Sequence, residues 1–384
     1  MRPVAAKEAP MVPKTTFPTQ MAWLALSVIF WMSPGPALAA EPPVLRELSG
    51  AERAHTAKLL AGAQKENELV IITNSLDPPF AQALYKDFQE YYGLGHIRMR
   101  HTMKRSGGVI STLRNDISAG RHSFDLLQVG SPDFFHQLLQ RKALMKYGSL
   151  AYNNFIPEVT GEKKGADGAV GYYISGQVNI SSILYNTKYV KKEIKTWDDV
   201  LDPQFNGKII VSEITKSGTI SYVYVGMRQI LPRSYFEKLA KMDPIFILAQ
   251  RESVQKVATG EKWIALPITS GLAYPDWKRG APLKVVFPEG RTVALGYPFG
   301  ILAKAPNPNT AKLFIDYLHG KRGHLKWMML KAASTGMRGI QLPSDITAFS
   351  PPLERLKIVP MEWERIGKEM NNWKEEYRQI FYTK

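Results

Sequence analysis

Five short segments of the sequence carry small hydroxyl, amide or glycine residues at the points where loops lead into helices. They are Asn74-Ser75, Ser106-Gly107-Gly108, Gly130-Ser131, Ser217-Gly218-Thr219 and Thr269-Ser270-Gly271. A Ser-Gly-Thr at the start of a helix offers several backbone N–H groups and two hydroxyls to one oxyanion. One such segment by itself is most often a plain helix cap. Five of them in the same position of a strand, loop and helix series favour an anion site.

The sequence lacks the spacings of common enzyme and metal motifs. It contains no G-x-S-x-G, G-x-x-x-x-G-K-[ST], H-E-x-x-H or G-x-G-x-x-G. It has no cysteine, which excludes disulfides, thiolate zinc sites and a cysteine nucleophile. The seven histidines do not pair at metal-ligand spacing, and Asp198-Asp199 reads equally well as a helix cap. We therefore expect that the protein is not an enzyme. We also expect no catalytic residue, no metal ligand and no cofactor.

Short apolar runs and amphipathic stretches alternate along the chain and position these loops. Residues 69–73, 124–129, 208–211 and 263–266 are apolar runs typical of strands buried on both faces of a parallel sheet. A hydroxyl-rich loop follows each run, and an amphipathic stretch follows the loop after each of the first three runs. This alternation predicts an open α/β sheet, in which ligands bind beyond the carboxyl ends of the strands.

The N-terminus has the pattern of an export signal. Residues 22–32 form an apolar run too short to span a bilayer. Basic residues precede the run, and the helix-breaking Ser-Pro-Gly-Pro of residues 33–36 follows it. Ala37 and Ala39 fit the small-residue rule for signal peptidase. We predict a signal peptide over residues 1–39, cleavage before Ala40 and a periplasmic protein.

The formal net charge is +16, from 50 Lys and Arg against 34 Asp and Glu. Such an excess leaves nucleic acid, an anionic surface or an anionic small ligand as candidate partners. Export argues against nucleic acid, so we expect no nucleic-acid partner. The 384 residues predict two or three domains. Because no linker separates the two sets of elements, we expect two lobes joined by strands.

The order of segments resembles the type II periplasmic solute-binding proteins of ABC importers, in the subgroup that contains the ferric-ion-binding proteins. The most specific match is Trp197-Asp198-Asp199-Val200-Leu201-Asp202-Pro203-Gln204-Phe205-Asn206-Gly207-Lys208-Ile209. Further matching stretches are residues 69–93, 125–147, 217–218, 254–266 and 296–323. The resemblance covers roughly residues 68–340, which is most of the chain after the predicted signal peptide.

The resemblance implies an α/β fold of two lobes, each a mostly parallel sheet flanked by helices, with the ligand in the cleft between them. It places crossover strands near residues 172–186 and 295–303. We assign residues 40–175 and 296–350 to lobe 1, residues 176–295 to lobe 2 and residues 351–384 to a C-terminal helical extension. The implied mechanism is ligand capture by hinge closure and delivery to an ABC permease and its ATPase. We expect the protein to be a monomer.

The chain departs from the iron-binding members of the subgroup at their ligand positions. Those members carry a Tyr-Tyr pair where this chain has Thr269-Ser270-Gly271. They also carry a histidine and a glutamate where this chain has Asn74-Ser75 and Gly130-Ser131. Ferric ion needs anionic oxygen ligands, which hydroxyls do not replace. The departures therefore disfavour iron.

The hypothesis that remains is capture of a small organic anion: a phosphonate, a phosphate ester or a carboxylate. We predict that Ser217, Gly218 and Thr219 hold the charged head. The predicted ligand-binding residues around that head are Asn74, Ser75, Ser106, Ser131, Thr269 and Ser270, with Tyr274 or Tyr297 over an apolar part. The alternatives left open are a ferric-ion-binding protein of the same family and an exported α/β enzyme.

Overall fold

The structure is a computed structural model that describes residues 41–160, 168–216, 218–288 and 291–383. The predicted signal peptide and Ser217 lie outside the described residues. The strands are β1 Glu68–Thr73, β2 Arg98–Met103, β3 Leu126–Gln128, β4 Gly168–Ala169, β5 Tyr173–Ile174, β6 Gln177–Asn186, β7 Ile209–Ser212, β8 Ile245–Ile247, β9 Ile264–Thr269, β10 Leu283–Val286, β11 Arg291–Thr292, β12 Ala294–Gly296, β13 Phe299–Ile301, β14 Ser334–Thr335 and β15 Lys357–Ile358.

Helices occupy most of the segments between these strands. They are α1 Pro43–Glu47, α2 Gly50–Ala63, α3 Pro78–Tyr92, α4 Ser106–Ser118, α5 Pro132–Gln140, α6 Pro157–Thr160, α7 Thr219–Arg228, α8 Arg233–Ala240, α9 Gln250–Thr259, α10 Tyr274–Lys278, α11 Pro308–His319, α12 Lys321–Lys331, α13 Ser344–Thr347 and α14 Trp363–Phe381. Within the described ranges, no helix combines the length and the apolar character needed to cross a membrane.

Helix α3 illustrates how the local sequence sets the bounds of an element. Pro78 lies in the first turn, where a missing N–H group costs nothing. Gly93 ends the helix with a left-handed backbone, at a φ of 66°. Between these ends, Leu84 and Phe88 are fully buried and Tyr91 is nearly so. The predicted apolar stripe is therefore the face that packs against the core.

Four strands form the first sheet, in the order β13-β3-β1-β2. Strand β1 pairs in parallel with β2 and β3, whereas β13 pairs with β3 in the antiparallel sense. Helices cover the sheet, and Leu69, Ile71 and Ile72 are completely buried. This explains why the first apolar run shows no alternation with polar residues.

Seven strands form the second sheet, in the order β10-β6-β9-β7-β8, with β12 and β14 also paired to β6. Strand β7 pairs in parallel with β8 and β9. The long strand β6 is antiparallel to β9, β10, β12 and β14. The second sheet is therefore mixed, with a parallel part beside an antiparallel crossover strand.

The chain passes between the sheets at two places. Ser175 and Gly176 separate β5, which pairs with β4 in a two-stranded sheet, from β6, to which four other strands of the second sheet pair. On the return path, Gly296 of β12 pairs with β6, and Phe299 of β13 already pairs with β3 of the first sheet. Only Tyr297 and Pro298 lie between these two pairings. The passage from β12 to β13 lies within residues 295–303, one of the two ranges predicted for a crossing.

The C-terminal segment is less helical than predicted. Residues 353–355 form a 3₁₀ turn, and β15 pairs in parallel with β11 before α14 begins at Trp363. Pro351, Pro352 and Pro360 explain the correction, because proline disrupts a helix interior. Helix α14 packs against α7 and α8, which flank the second sheet, and also against α5, which follows the first sheet.

Candidate ligand-binding cleft

The cleft lies where the N-termini of α4 and α7 approach each other. Ser106 begins α4 after a strand of the first sheet, and Thr219 begins α7 after a strand of the second. Their hydroxyl oxygens are 2.9 Å apart, within hydrogen-bond distance. A Cβ atom on Gly218 would lie 3.1 Å from the Cβ of Ser106, so glycine permits this close approach. Helix N-termini carry unpaired N–H groups and the positive end of the helix dipole, which favour anions.

A cavity of about 300 Å³ opens beside this contact. The structure brings many of the predicted residues to it, although they come from loops far apart in the sequence. The predicted residues that line the cavity are Asn74, Ser75, Ser106, Gly218, Thr219, Thr269 and Tyr297.

The other predicted residues lie elsewhere. Ser131 and Ser270 are buried, with 1% and 2% of their surfaces exposed, and neither lines the cavity. Tyr274 does not line it either, so of the two tyrosines named as alternatives for covering the ligand, Tyr297 is the one that borders the cavity. Its hydroxyl donates a hydrogen bond to Asp345 Oδ2 at 2.7 Å, and its ring packs against Phe349. Ser217 falls outside the described residues, so its predicted role stays a prediction.

Hydrogen bonds link the polar side chains on the first-sheet side of the cavity. Asn74 Nδ2 donates to Ser106 Oγ at 2.8 Å, and Asn74 Oδ1 accepts a bond from the backbone N–H of Gly130 at 3.3 Å. Ser75 Oγ donates to Gln128 Oε1 at 2.9 Å. These bonds fix the first-sheet loops relative to one another before any ligand arrives.

One glutamine organises the second-sheet side. Gln250 Nε2 donates to the carbonyl of Pro267 at 2.9 Å, and its Oε1 accepts from the backbone N–H of Thr269 at 3.2 Å. Gln250 also lines the cavity. The amide therefore holds the end of β9, including Thr269, in place at the cavity wall.

Tyr297 stands at the crossing between the sheets and closes one side of the cavity. Burial raises the pKa of its phenol, and hydrogen bonds from Asn179 and Thr219 oppose that shift. A Cβ atom on Gly130 would lie 2.7 Å from the Tyr297 ring, so only glycine fits beneath it. The phenol is thus neutral and held by neighbouring side chains.

Sequence analysis missed three cations in the cavity wall: Arg105, Lys216 and Lys331. Arg105 and Lys216 directly precede the Ser106 and Ser217 segments, so reading each loop one residue earlier would have found them. Lys331 ends α12, and no local signal connects it with the cleft. Among the described lining residues, Asp77 is the one carboxylate.

Lys331 is the most enclosed of these cations, with 12% of its side chain exposed. Its Nζ donates to the carbonyl of Ser75 at 2.5 Å and lies 3.4 Å from Asp77 Oδ2. Burial lowers the pKa of Lys331, against the opposing charge of Asp77. In contrast, the described part of the chain offers neither Arg105 nor Lys216 a carboxylate within ion-pair distance.

The cavity does not resemble a metal centre. Among the described residues, no group of three or more histidine, aspartate or glutamate side chains could hold a metal ion. Hard cations such as ferric ion need several anionic oxygens. The wall instead presents hydroxyls, amides, backbone N–H groups and cations, and these suit an oxyanion.

A family model described as bacterial extracellular solute-binding protein matches residues 122–334, more than half of the chain. The chain belongs to this family. A curated relative of the solute-binding protein, an uncharacterised protein of Haemophilus influenzae, is 28% identical over 211 residues. That match spans 51% of this chain and 59% of the length of the relative.

Solved structures establish the fold of the solute-binding protein. The periplasmic binding protein AfuA of Actinobacillus pleuropneumoniae, with fructose 6-phosphate bound, superposes with a TM-score of 0.68 at 19% identity. The match covers 83% of this chain and all of AfuA. Iron-bound HitA of Pseudomonas aeruginosa matches with a TM-score of 0.65 at 16% identity, over 82% of this chain and 99% of HitA. These neighbours confirm the two-lobed type II periplasmic binding fold, and they are binding proteins of transport systems, not enzymes.

Proposed function

We propose that this protein captures a small organic anion, namely a phosphonate, a phosphate ester or a carboxylate, and delivers it to an ABC permease. One observation carries the proposal. The cavity lies between two helix N-termini, and three cations against one carboxylate line it. Charge-assisted hydrogen bonds to phosphate-like or carboxylate oxygens are the strongest that such a wall can make.

The chemical groups of the cavity wall distinguish between the two kinds of ligand bound by these structural neighbours. AfuA was solved with a sugar phosphate and HitA with iron. An iron site needs several phenolates or carboxylates, whereas Asp77 and the neutral Tyr297 are the acidic groups of the described wall. The wall has hydroxyl and amide donors in excess. This supports an organic anion and disfavours the ferric-ion alternative.

The contact between Ser106 and Thr219 supports capture by closure of the two lobes. Residues of both sheets line the same cavity, so a ligand there would touch both lobes at once. A ligand that binds the closed form better than the open form shifts the equilibrium toward closure. In this proposal lobe 1 comprises residues 40–175 and 296–350, and lobe 2 residues 176–295.

Export by a cleaved signal peptide is part of the same proposal. The family is described as extracellular, which agrees with a periplasmic location. N-terminal sequencing of the protein from a periplasmic fraction is expected to start at Ala40. A mature protein that retains residues 1–39 would contradict this part.

Ligand binding is tested on protein purified from the periplasm. Native mass spectrometry identifies any copurified ligand, and thermal shift and calorimetry then compare a sugar phosphate, an alkylphosphonate, a dicarboxylate and ferric citrate. At hundredfold excess over its Kd, the true ligand stabilises the fold by about 2.7 kcal/mol. Tyr274→Phe serves as control, because Tyr274 lies outside the cavity wall and its loss leaves binding unchanged. Tight ferric binding without binding of any organic anion would overturn the proposal.

A further inference from the structure

Two apolar side chains of the ligand cavity lie outside the core. Met103, the last residue of β2, lines the cavity and is 42% exposed. Leu248 follows β8, lines the same cavity and is partly buried. Neither side chain belongs to one of the apolar clusters that the described residues form. Large apolar side chains that border a cavity without joining the core are free to contact a ligand.

Met103 and Leu248 occupy equivalent positions in the two sheets. Strand β2 is the edge strand of the first sheet, three places from β13 at the crossing. Strand β8 is likewise an edge strand of the second sheet, three places from β6. Neighbouring strands lie about 4.8 Å apart, so both residues lie about 14 Å from the crossing. The outer end of the cavity therefore has one apolar residue from each sheet.

Two cations of the cavity wall are available for the charged head of the same ligand. Within the described part of the chain, neither Arg105 nor Lys216 has a hydrogen-bond or ion-pair partner. Arg105 is two positions after Met103, so the two backbones lie at most about 7 Å apart. One small molecule can therefore place an anionic head at Arg105 and an apolar body at Met103.

The neutral polar side chains of the wall already bond to one another. Asn74 Nδ2 donates to Ser106 Oγ at 2.8 Å, and the Tyr297 hydroxyl bonds to Asn179 and Thr219. A polyol body, such as that of a sugar phosphate, would have to replace these bonds with its own hydroxyls. An apolar body leaves them intact and needs no polar partner of its own. The wall therefore favours an anion whose uncharged part is apolar.

We propose that Met103 and Leu248 form an apolar subsite, which selects organic anions with a short alkyl or aryl body over polyol phosphates. This inference rests on the proposed capture of an organic anion, and it adds the chemical class of the uncharged part. Arg105 and Lys216 bind the charged head, while Met103 and Leu248 cover the body from the two sheets. Closure on such a ligand removes apolar surface from water, which favours the closed form.

Calorimetry with a ligand series tests the apolar subsite. The exported protein is titrated with methyl-, propyl-, butyl- and 2,3-dihydroxypropylphosphonate, and with phosphate esters and carboxylates that carry the same bodies. Within the head group that binds best, we expect affinity to rise about threefold to fourfold per methylene. The propyl compound is expected to bind at least about tenfold more tightly than its dihydroxy counterpart. A flat series, or tighter binding of the dihydroxy compound, would overturn the subsite and leave anion capture standing, whereas no binding of any head group would overturn both.

Variants of the two apolar residues supply the second measurement, which is the ratio of butyl to methyl affinity. Met103→Ser and Leu248→Ser are each expected to lower this ratio at least about fivefold, and Met103→Leu is expected to keep it within about twofold of wild type. Met329→Ser is the matched control, because Met329 is a methionine of similar exposure, at 45%, that does not line the cavity. An unchanged ratio in Met103→Ser and Leu248→Ser, or an equal fall in Met329→Ser, would contradict the subsite.

Discussion

Polar side chains border an open cavity in the ligand cleft, whereas near Gly176 they are fully buried. In the cleft, hydroxyls, amides and cations border a cavity and can exchange their contacts for a ligand. At the crossing, His319 and His324 are completely buried beside Gly176. A Cβ atom on Gly176 would lie 3.2 Å from His324 Cε1 and 3.3 Å from His319 Cδ2. The difference shows that polar side chains of the cleft border open space, whereas the two histidines beside Gly176 are sealed from water.

The sealed histidines differ from each other in their partners. His324 bonds to the carbonyl of Leu318 at 3.0 Å and to Thr335 Oγ1 at 2.6 Å. Neither ring nitrogen of His319 has a hydrogen-bond partner among the described residues. Its ring packs edge-on against Tyr152 and Phe155. Burial lowers the pKa of His319 to about 3 and that of His324 to about 4.

The largest expected effect is a loss of stability in acid, caused by the two buried histidines and not by the residues of the ligand cleft. Both histidines are neutral in the fold but take up a proton in the unfolded chain near pH 6.5. The two histidines therefore leave the free energy of unfolding undiminished above about pH 6.5. Below that pH the free energy of unfolding falls, as the pH drops toward the pKa values of the folded state. Two such groups lower the free energy of unfolding by about 5 kcal/mol between pH 6.5 and 4.5. Urea unfolding at a series of pH values measures this slope.

His319→Phe isolates one of these histidines, because phenylalanine fills the aromatic site without a titrating group. We expect it to reduce the dependence of unfolding free energy on pH by about 1.4 kcal/mol per pH unit below pH 6.5. His96→Gln is the control, since His96 is exposed. If the free energy of unfolding of His319→Phe depends on pH as strongly as that of wild type, then His319 is not the sealed, neutral group inferred here.

Replacing Lys331 tests whether a cation of the cleft contributes to ligand affinity and not to the stability of the fold. Lys331→Met removes an enclosed cation whose pKa burial lowers, so we expect affinity for the best anion of the screen to fall about ten- to a hundredfold. The melting temperature is expected to change little, because the ammonium contacts a carbonyl, the half-exposed Asp77 and the face of the Phe80 ring, and an apolar methionine can keep the last of these contacts. Lys331→Arg retains the charge and is expected to recover most of the affinity. Isothermal titration calorimetry compares the three proteins.

Gly218→Val tests whether closure needs the close approach of α4 and α7. The added Cβ would press on Ser106 at 3.1 Å and hold the helix starts apart. We expect affinity to fall at least about tenfold while the free energy of unfolding changes by less than about 1 kcal/mol, as expected of a contact at an opening cleft. Gly95→Ala is the control, because a Cβ at Gly95 meets no atom within 4 Å. A large loss of stability in Gly218→Val would show that the contact belongs to the sealed interior instead.

The sequence was sufficient for the features that depend on local order. Apolar runs such as residues 69–73 predicted buried strands, and the hydroxyl-rich segments predicted to form one site include Asn74, Ser106 and Thr219, which line the same cavity. Parallel strands bring their carboxyl ends to one edge, so these distant loops meet by a general rule. The family resemblance supplied the two crossings, which periodicity alone does not locate.

Features that depend on packing between distant elements were not predictable. Lys331 reaches the cleft only because α12 packs on α3, and its carbonyl partner, Ser75, is 256 positions earlier in the chain. Tyr274 follows a cleft loop in sequence, but its hydroxyl bonds to Asp345, a residue of the C-terminal part. The buried histidines carry no sequence signal, since burial of a polar ring is decided by the surrounding fold.

The smallest expected effect comes from replacing Ser131, which lies between the ligand cleft and the sealed interior. It follows the cleft loop at Gly130, yet it is 1% exposed, and its Oγ has no hydrogen-bond partner among the described residues. An unbonded buried hydroxyl costs free energy, so Ser131→Ala is expected to leave the free energy of unfolding unchanged or to raise it by up to about 1 kcal/mol. Ligand affinity is expected to stay within about twofold, in contrast to Ser106→Ala, which removes a hydroxyl from the cavity wall. A clear loss of affinity in Ser131→Ala would instead mean that this hydroxyl turns toward the ligand, and the border of the cleft would then include the start of α5.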